Sequence, residues 1–379
     1  VADFDFNTVP KIISRLGAAR QLGEIVQSCF DVQKVLVVTD GGLVTNGLLE
    51  PGLAALKDAG FDVELYSKVV ADPPEETILD LADVASRRGE LVIGFGGGSS
   101  MDAAKLAAAL ADGKQPLKEM YGVGNITVPR RPLLQIPTTS GTGSEVTPIS
   151  IVTTGETTKS GVVSPVLYAD VALLDAELTL GLPPSVTAAT GIDAMVHAIE
   201  AYTSRHKKNP LSDTLALQAL RLLYHHLPIA YENGDDLPAR EKCMLGAMLA
   251  GQAFANAPVA AVHALAYPLG GIFHLSHGLS NALVLPHVLR FNMTEAEDHY
   301  AELCAHLFGS QGASAEKFVE KMEALCETVG VRKKLRDFGI DEKDTVRLAE
   351  DAMLQTRLLV NNPRDVTYED ALRIYEQAW

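Results

Sequence analysis

Cysteine is scarce. The four thiols in 379 residues, Cys29, Cys243, Cys304 and Cys326, lie far apart and form no CxxC pair. That excludes a disulfide framework or a zinc ribbon and suits a reducing, cytoplasmic compartment. Positive charge is short as well: 32 Lys and Arg against 48 Asp and Glu leave a formal net charge of −16. Nucleic-acid binding rests on a basic footprint, so no nucleic-acid partner is expected. An anionic ligand must be held by local donors, because the long-range field repels it. The stretch Val1-Ala2-Asp3-Phe4-Asp5 has neither a basic nor an apolar run, so no signal peptide is expected. Between Lys242 and Arg290 there is no Asp, Glu, Lys or Arg at all. A membrane span is the first alternative for such a stretch. Gln252, Asn256, Pro258, Pro268, Gly270, Gly271, Asn281 and four histidines interrupt it before twenty clean apolar residues accumulate. Helices of a protein interior are expected instead, with no membrane partner, and histidines placed there need polar partners.

What is present divides in two. At 379 residues, 47% hydrophobic and 21% charged, the chain is long enough for two cores. Up to Pro183-Pro184, short apolar runs alternate with helical stretches. Lys34–Asp40, Phe61–Tyr66, Leu91–Phe95, Leu133–Pro137 and Val171–Asp175 read as strands. A helical stretch through about Asp58, Glu75–Arg88 closed by Gly89, and the alanine-rich Met101–Ala111 read as helices. Ile149–Thr154 and Lys159–Val163 read as a hairpin across Thr154-Gly155-Glu156. This alternation predicts an α/β domain with a mostly parallel, Rossmann-like sheet over residues 1–182. Beyond it the strand signals stop. Ala188–Ser204, Ser212–His226 and Arg240–Phe254 open a series of helices, and residues 183–379 are expected to form an all-helical domain.

Gly96-Gly97-Gly98-Ser99 lies between a buried strand and a helix. Glycines let a phosphate approach the backbone, and the first N–H groups of the helix favour an anion there. Taken alone, three glycines are equally an ordinary tight turn. A second segment, Pro137-Thr-Thr-Ser-Gly-Thr-Gly-Ser-Glu145, also follows a strand. Two neutral glycine and hydroxyl loops at strand ends suit the two phosphates of a dinucleotide. Asp40 ends the first strong strand, where an acid hydrogen-bonds the adenosine ribose and repels a 2′-phosphate, which favours NAD over NADP. The alternative for Asp40 is a helix N-cap.

Asp193-Ala-Met-Val-His197 sets a carboxylate and an imidazole four apart on one helix face. His263-Ala-Leu-Ala-Tyr267 repeats that spacing, and His274-Leu-Ser-His277 follows. One Asp with several His in an apolar interior, without thiolate, is the donor set of a divalent transition metal, and spacing chooses neither the ion nor between His274 and His277. A dinucleotide site and a metal site in adjoining domains predict a cleft between them. There the metal acts as a Lewis acid on an alcohol or carbonyl oxygen while nicotinamide exchanges a hydride with the carbon bearing it.

Over essentially its full length the chain resembles the iron-containing (group III) alcohol dehydrogenases. The stretches that carry the resemblance are GFGGGSSMDAAK (94–105), PTTSGTGSEVT (137–147), GIDAMVHAIEAY (191–202), HALAYPLGGIFHLSHG (263–278) and NNPR (361–364). The resemblance implies a fold of the dehydroquinate-synthase type and Asp193, His197, His263 and His277 as metal ligands. The metal of the family is usually Fe²⁺ and in some members Zn²⁺ or another divalent ion. It implies NAD contacts at Gly97, Gly98, Ser99, Asp102, Thr138, Thr139, Thr142 and Lys159. It implies a further cofactor contact at Asp72, which stands where relatives often carry Asn before a Pro. It further implies an oligomer of identical chains.

Many members have a second histidine where this chain has Tyr267, four residues after His263 and near the nicotinamide; Tyr267 and the metal ligand His277 are the catalytic candidates. A phenol can pass a proton, but its ordinary pKa near 10 makes it a poorer base than imidazole at neutral pH, favouring aldehyde reduction or alkaline conditions. Its other reading is a pocket wall. Phe254, Val259, Ile149, Ile151 and Asn362 match positions near the substrate, a small apolar set suited to short primary alcohols, diols and their aldehydes. A dehydroquinate-synthase-like lyase needs basic residues beside the metal, which the histidine segments lack. A maleylacetate-reductase-like activity needs a cation for a dicarboxylate, for which Arg364 is the nearest candidate. A nucleotide-binding protein without catalysis would leave the Asp–His cluster unpaired.

Overall fold

Val35, Leu36, Val37 and Val38 are fully buried, as are Leu91, Val92, Ile93 and Phe95. Strands covered on both faces read as unbroken apolar runs, and a parallel sheet is the arrangement that covers them so. The structure is a computed structural model that describes residues 3–155 and 158–379; Glu156 of the expected hairpin turn lies outside the described residues. It divides into Asn7–Leu180 and a second unit, Gly181–Trp379 joined by the first described residues through Phe6.

The first unit holds β1 (Ile12–Ser14), β2 (Lys34–Asp40), β3 (Asp62–Val69), β4 (Leu91–Gly96), β5 (Gly122–Val123), β6 (Leu133–Pro137), β7 (Ile149–Thr154), β8 (Thr158–Val163) and β9 (Val171–Leu174). Its helices are α1 (Leu22–Cys29), α2 (Gly41–Thr45), α3 (Glu50–Asp58), α4 (Glu75–Arg88), α5 (Gly98–Leu110) and α6 (Leu117–Met120). Six strands form one sheet in the order β1-β9-β6-β4-β2-β3, every pair parallel. Val35, Val37, Ile93, Phe95, Leu134 and Ile136 pack with Leu22, Leu49 and Leu56 in its core. The order reverses between β2 and β4, since β3 lies on the other side of β2; ligands of open parallel sheets bind at the carboxyl ends of strands at such a point. β7 and β8 pair antiparallel as expected, from Ile149 opposite Val163 to Thr154 opposite Thr158, and join β5 in a separate sheet.

Three local readings change. The stretch after β2 is two helices rather than one, broken between Thr45 and Glu50, and β3 runs on to Val69. Gly89 ends α4 with φ −108°, not in the left-handed region. Its requirement is space: a Cβ there would lie 3.2 Å from the Leu36 Cβ and 3.3 Å from the Ala85 oxygen. The short edge strand β1 carried no legible signal.

The second unit holds α7 (Pro184–Thr203), α8 (Pro210–Glu232), α9 (Leu237–Asn256), α10 (Ala261–Phe273), α11 (His277–Asn292), α12 (Glu297–Phe308), α13 (Ala315–Thr328), α14 (Asp344–Ala352), α15 (Thr356–Leu359) and α16 (Tyr368–Ala378). The charge-free stretch becomes most of α9, all of α10 and most of α11, and most of their apolar side chains are buried. Among the described residues no single helix is long and apolar enough to cross a membrane; α9 and α10 would pass together by composition but meet at 106°.

Candidate metal and dinucleotide sites

α7 carries Asp193 and His197 one turn apart, α10 brings His263 from its first turn, and α11 opens on His277. One ligand atom from each of the four lies within 4.8 Å of the others. The Asp193 Oδ1 is 3.7, 3.8 and 3.4 Å from the Nε2 atoms of His197, His263 and His277. Ligands held about 2.1 Å from one tetrahedral ion are about 3.4 Å apart, so the nitrogen and oxygen donors here fit a divalent metal. Asp193, His197 and His263 are almost wholly buried, whereas the His277 side chain is 31% exposed, which leaves the centre open on that side. His274 terminates α10 in the left-handed conformation, φ 57°, and is not among the four.

The surroundings fix these side chains. Phe254 stacks on His197 with centroids 4.2 Å apart, and His197 stacks on His263 at 4.8 Å. Asn281, one turn after His277, donates from Nδ2 to the Asp193 Oδ1 at 2.6 Å and lies 3.4 and 3.3 Å from the Nε2 atoms of His263 and His277. Glu200, one turn after His197, is 4% exposed, and its Oε2 lies within hydrogen-bond reach of the His263 Nδ1 at 2.7 Å. Sequence reading missed both supports, although each stands one turn beyond a ligand.

In the first unit a cavity of about 460 Å³ opens at the carboxyl ends of β2, β3 and β4, lined by Asp40, Gly41, Gly42, Val69, Val70, Ala71 and Gly97 to Ser100. Of the expected cofactor residues it gathers Asp40, Gly97, Gly98 and Ser99. The Asp40 Oδ1 accepts the Gly42 and Leu43 N–H groups at 2.9 and 3.1 Å, so the helix-cap reading holds for that oxygen. A Cβ on Gly98 would come within 2.8 Å of the Thr142 methyl, so the two glycine and hydroxyl loops touch where glycine permits it.

The other cofactor candidates lie off that lining. Thr138 is buried and its N–H is bonded to the Gly96 oxygen at 3.0 Å; Thr139 and Thr142 are half-buried on the same connection. Asp102 is turned inward, accepting the Ser144 hydroxyl at 2.5 Å and the Ile151 N–H at 3.0 Å. Lys105, missed from sequence, is fully buried and donates to the Ser144 Oγ and the Ile149 oxygen, both at 2.7 Å, to Asp102 at 3.2 Å and to Thr147 at 3.3 Å. Desolvation holds its ammonium pKa below the ordinary value, and burial pushes the neighbouring Glu145 up to about 7. Asp72 and Lys159 meet in an ion pair of 2.9 Å. Asp72 adopts φ 51°, a conformation that Asn and Asp tolerate best among non-glycine residues.

Of the substrate candidates, Phe254 and Val259 are buried in the helical unit, and Ile149 and Ile151 are half-buried on β7. Asn362 is 1% exposed, and its amide is tied to Asn292 in both directions, at 3.0 and 2.7 Å, and to the Arg364 oxygen at 2.6 Å; it pins its segment. The Arg364 guanidinium lies 4.0 Å over the Phe291 ring and donates to the Phe291 oxygen, so it is engaged within the fold. Tyr267 is half-buried, its ring centroid 6.1 Å from that of His277.

Comparison with known proteins agrees with this arrangement. Residues 10–176 match the profile described as iron-containing alcohol dehydrogenase, and residues 187–379 match that of the Fe-containing alcohol dehydrogenase family, C-terminal. Long-chain-alcohol dehydrogenase 1 of Geobacillus thermodenitrificans is 44% identical over 91% of this chain and 89% of its own length. The crystal structure of a 1,3-propanediol oxidoreductase, 34% identical, superposes with a TM-score of 0.95 over the whole of both chains. Sulfoacetaldehyde reductase from Bifidobacterium kashiwanohense, solved in complex with NAD⁺ and 27% identical, gives 0.89 over 100% of this chain and 99% of its own. With both halves matched in order and a relative this similar along nearly the whole length, the chain belongs to the iron-containing alcohol dehydrogenase family, whose members are oxidoreductases.

Proposed function

We propose that the protein interconverts short primary alcohols or diols and their aldehydes with NAD, using a divalent metal, Fe²⁺ in its resident form, held by Asp193, His197, His263 and His277. The observation that carries the reading is the convergence of one carboxylate and three imidazoles within 4.8 Å. When bound, a metal in such a set supplies Lewis-acid polarisation of the substrate oxygen, and a single carboxylate among neutral imidazoles leaves a divalent ion half neutralised. Phe254 lies flat against His197 and keeps that flank of the centre apolar. The partly exposed His277 marks the side from which a small substrate reaches it. Tyr267 stands one turn after His263, where its hydroxyl is suited to hold a proton near the reacting oxygen. The neutral loops at the ends of β4 and β6 suit the cofactor phosphates, with Asp40 toward the adenosine ribose. The engagement of Arg364 by Phe291 and the charge-free histidine segments speak against phosphate or dicarboxylate substrates. Analogy with the family supports a homo-oligomer, and the four free thiols suit a reducing cytoplasm.

The test is NADH formation from ethanol, 1,2-propanediol and butanol by metal-replete protein, before and after chelation, with elemental analysis of anaerobically prepared enzyme. Turnover that chelation abolishes and Fe²⁺ restores is expected. No turnover over a broad alcohol and aldehyde panel by metal-replete protein overturns the proposal.

A further inference from the structure

The helix that delivers His263 has no cap of its own. Its N-cap residue is Ala260, preceded by Ala257-Pro258-Val259, and none of these side chains can accept a hydrogen bond from a first-turn N–H. Glu200 of α7 supplies what is missing. Its Oε2 accepts the Ala260 N–H at 2.9 Å and its Oε1 the Val262 N–H at 2.7 Å. The same Oε2 lies 2.7 Å from the His263 Nδ1. One carboxylate from the helix that bears Asp193 and His197 thus closes the first turn of the helix that bears His263 and orients its ring.

The tautomer follows from the donor inventory. An ionised carboxylate only accepts, so the nitrogen facing it carries the proton, and Nε2 is left with the lone pair. That nitrogen is the one directed into the ligand cluster, 3.8 Å from the Asp193 Oδ1. A carboxylate behind a ligand imidazole fixes ring orientation and raises its basicity.

We propose that Glu200 is a positioning residue of the metal centre, holding His263 with Nδ1 protonated and Nε2 toward the ion while capping the helix that carries it. This rests on the metal reading above and adds to it a residue that coordinates nothing.

The test uses the full chain stripped of metal and titrated with Co²⁺, following the visible d–d bands, with the dissociation constant taken by chelator competition. Apo-protein thermal midpoints are measured alongside. Glu200→Gln keeps the volume but replaces one acceptor by a donor. It is expected to weaken Co²⁺ binding by about 10–100-fold and to alter the bands, because the ring is no longer held. A variant with a lowered apo midpoint but wild-type Co²⁺ affinity and spectrum overturns the proposal, since Glu200 is then a helix cap alone. Wild-type protein that takes up no Co²⁺ overturns the metal reading itself and this inference with it. If Glu200→Gln does not fold, ¹⁵N-histidine spectra of Zn²⁺-loaded wild type decide: Nδ1–H on His263 is expected, and Nε2–H refutes the assignment.

Discussion

Replacing Lys105 by methionine isolates what a fully buried ammonium does between the two glycine and hydroxyl loops. Lys105 Nζ donates to Ser144 Oγ, the Ile149 oxygen, Asp102 and Thr147, and so ties α5 to the connection between β6 and β7. Methionine fills a similar volume and removes all four bonds. Removing one partner of a buried ionic pair costs about 3–5 kcal/mol. The lower end applies here, because Asp102 keeps the Ser144 hydroxyl and the Ile151 N–H and its side chain is 15% exposed. A loss of about 3 kcal/mol in a domain of this size lowers the thermal midpoint by roughly 6–12 °C. Because burial lowers the Lys105 pKa, the unfolded chain binds more protons than the fold in the interval below 10.5, and stability from this group rises with pH there. The methionine variant should lack that rise. If NADH must then order the loop itself, its affinity falls about tenfold for each 1.4 kcal/mol it supplies. Thermal unfolding across pH and an NADH fluorescence titration of Lys105→Met read both effects. A midpoint within about a degree of wild type and an unchanged NADH affinity would refute the argument. A lowered midpoint with unchanged affinity would confine Lys105 to the core.

Two further outcomes are expected. Asp40→Gly removes both the helix cap and the acid at the end of β2; it should cost about 1 kcal/mol of stability and narrow the preference for NAD over NADP, measured as the ratio of kcat/KM values. Comparable efficiency of the wild type with both cofactors would remove the ribose role of Asp40. Tyr267→Phe should lower kcat most on the alkaline side of the pH profile, by roughly tenfold or more as for a lost general base, and an unaltered profile would leave Tyr267 as a wall of the pocket.

The clustering of the four candidate metal ligands was legible because their signal is local and their setting is bare. Asp193 and His197 sit at helical spacing, and His263 and His277 stand in a stretch without any ordinary charge. The sheet was legible because burial on both faces writes the same apolar run whichever strand carries it, whereas β1, three residues long, writes almost nothing. Spacing left His274 and His277 open, and what separates them is backbone: a left-handed turn ends one helix at the first and the next helix begins at the second. Of the two duties read for Asp40, the helix cap is the one the fold displays, and it falls to Oδ1.

Glu200 and Lys105 escaped for a common reason. Charged residues are seldom fully buried, so a glutamate or lysine inside a helix reads as solvated. Their burial is stabilised by partners without sequence identity: backbone N–H groups of Ala260 and Val262 in one case, the Ile149 carbonyl in the other. The i,i+3 spacing of Asp102 and Lys105 offers a side-chain pair, but no pairing rule between side chains finds these backbone partners. The trace that was available lies in the deficit instead. A helix that starts at Ala261 inside a charge-free segment, with no Ser, Thr, Asp or Asn from residue 257 to 260, has first-turn donors that something must satisfy. The acceptor must therefore come from another element packed against that turn. An acidic residue one turn beyond His197, on the same face as the ligand pair, is the group that the motif itself had to offer.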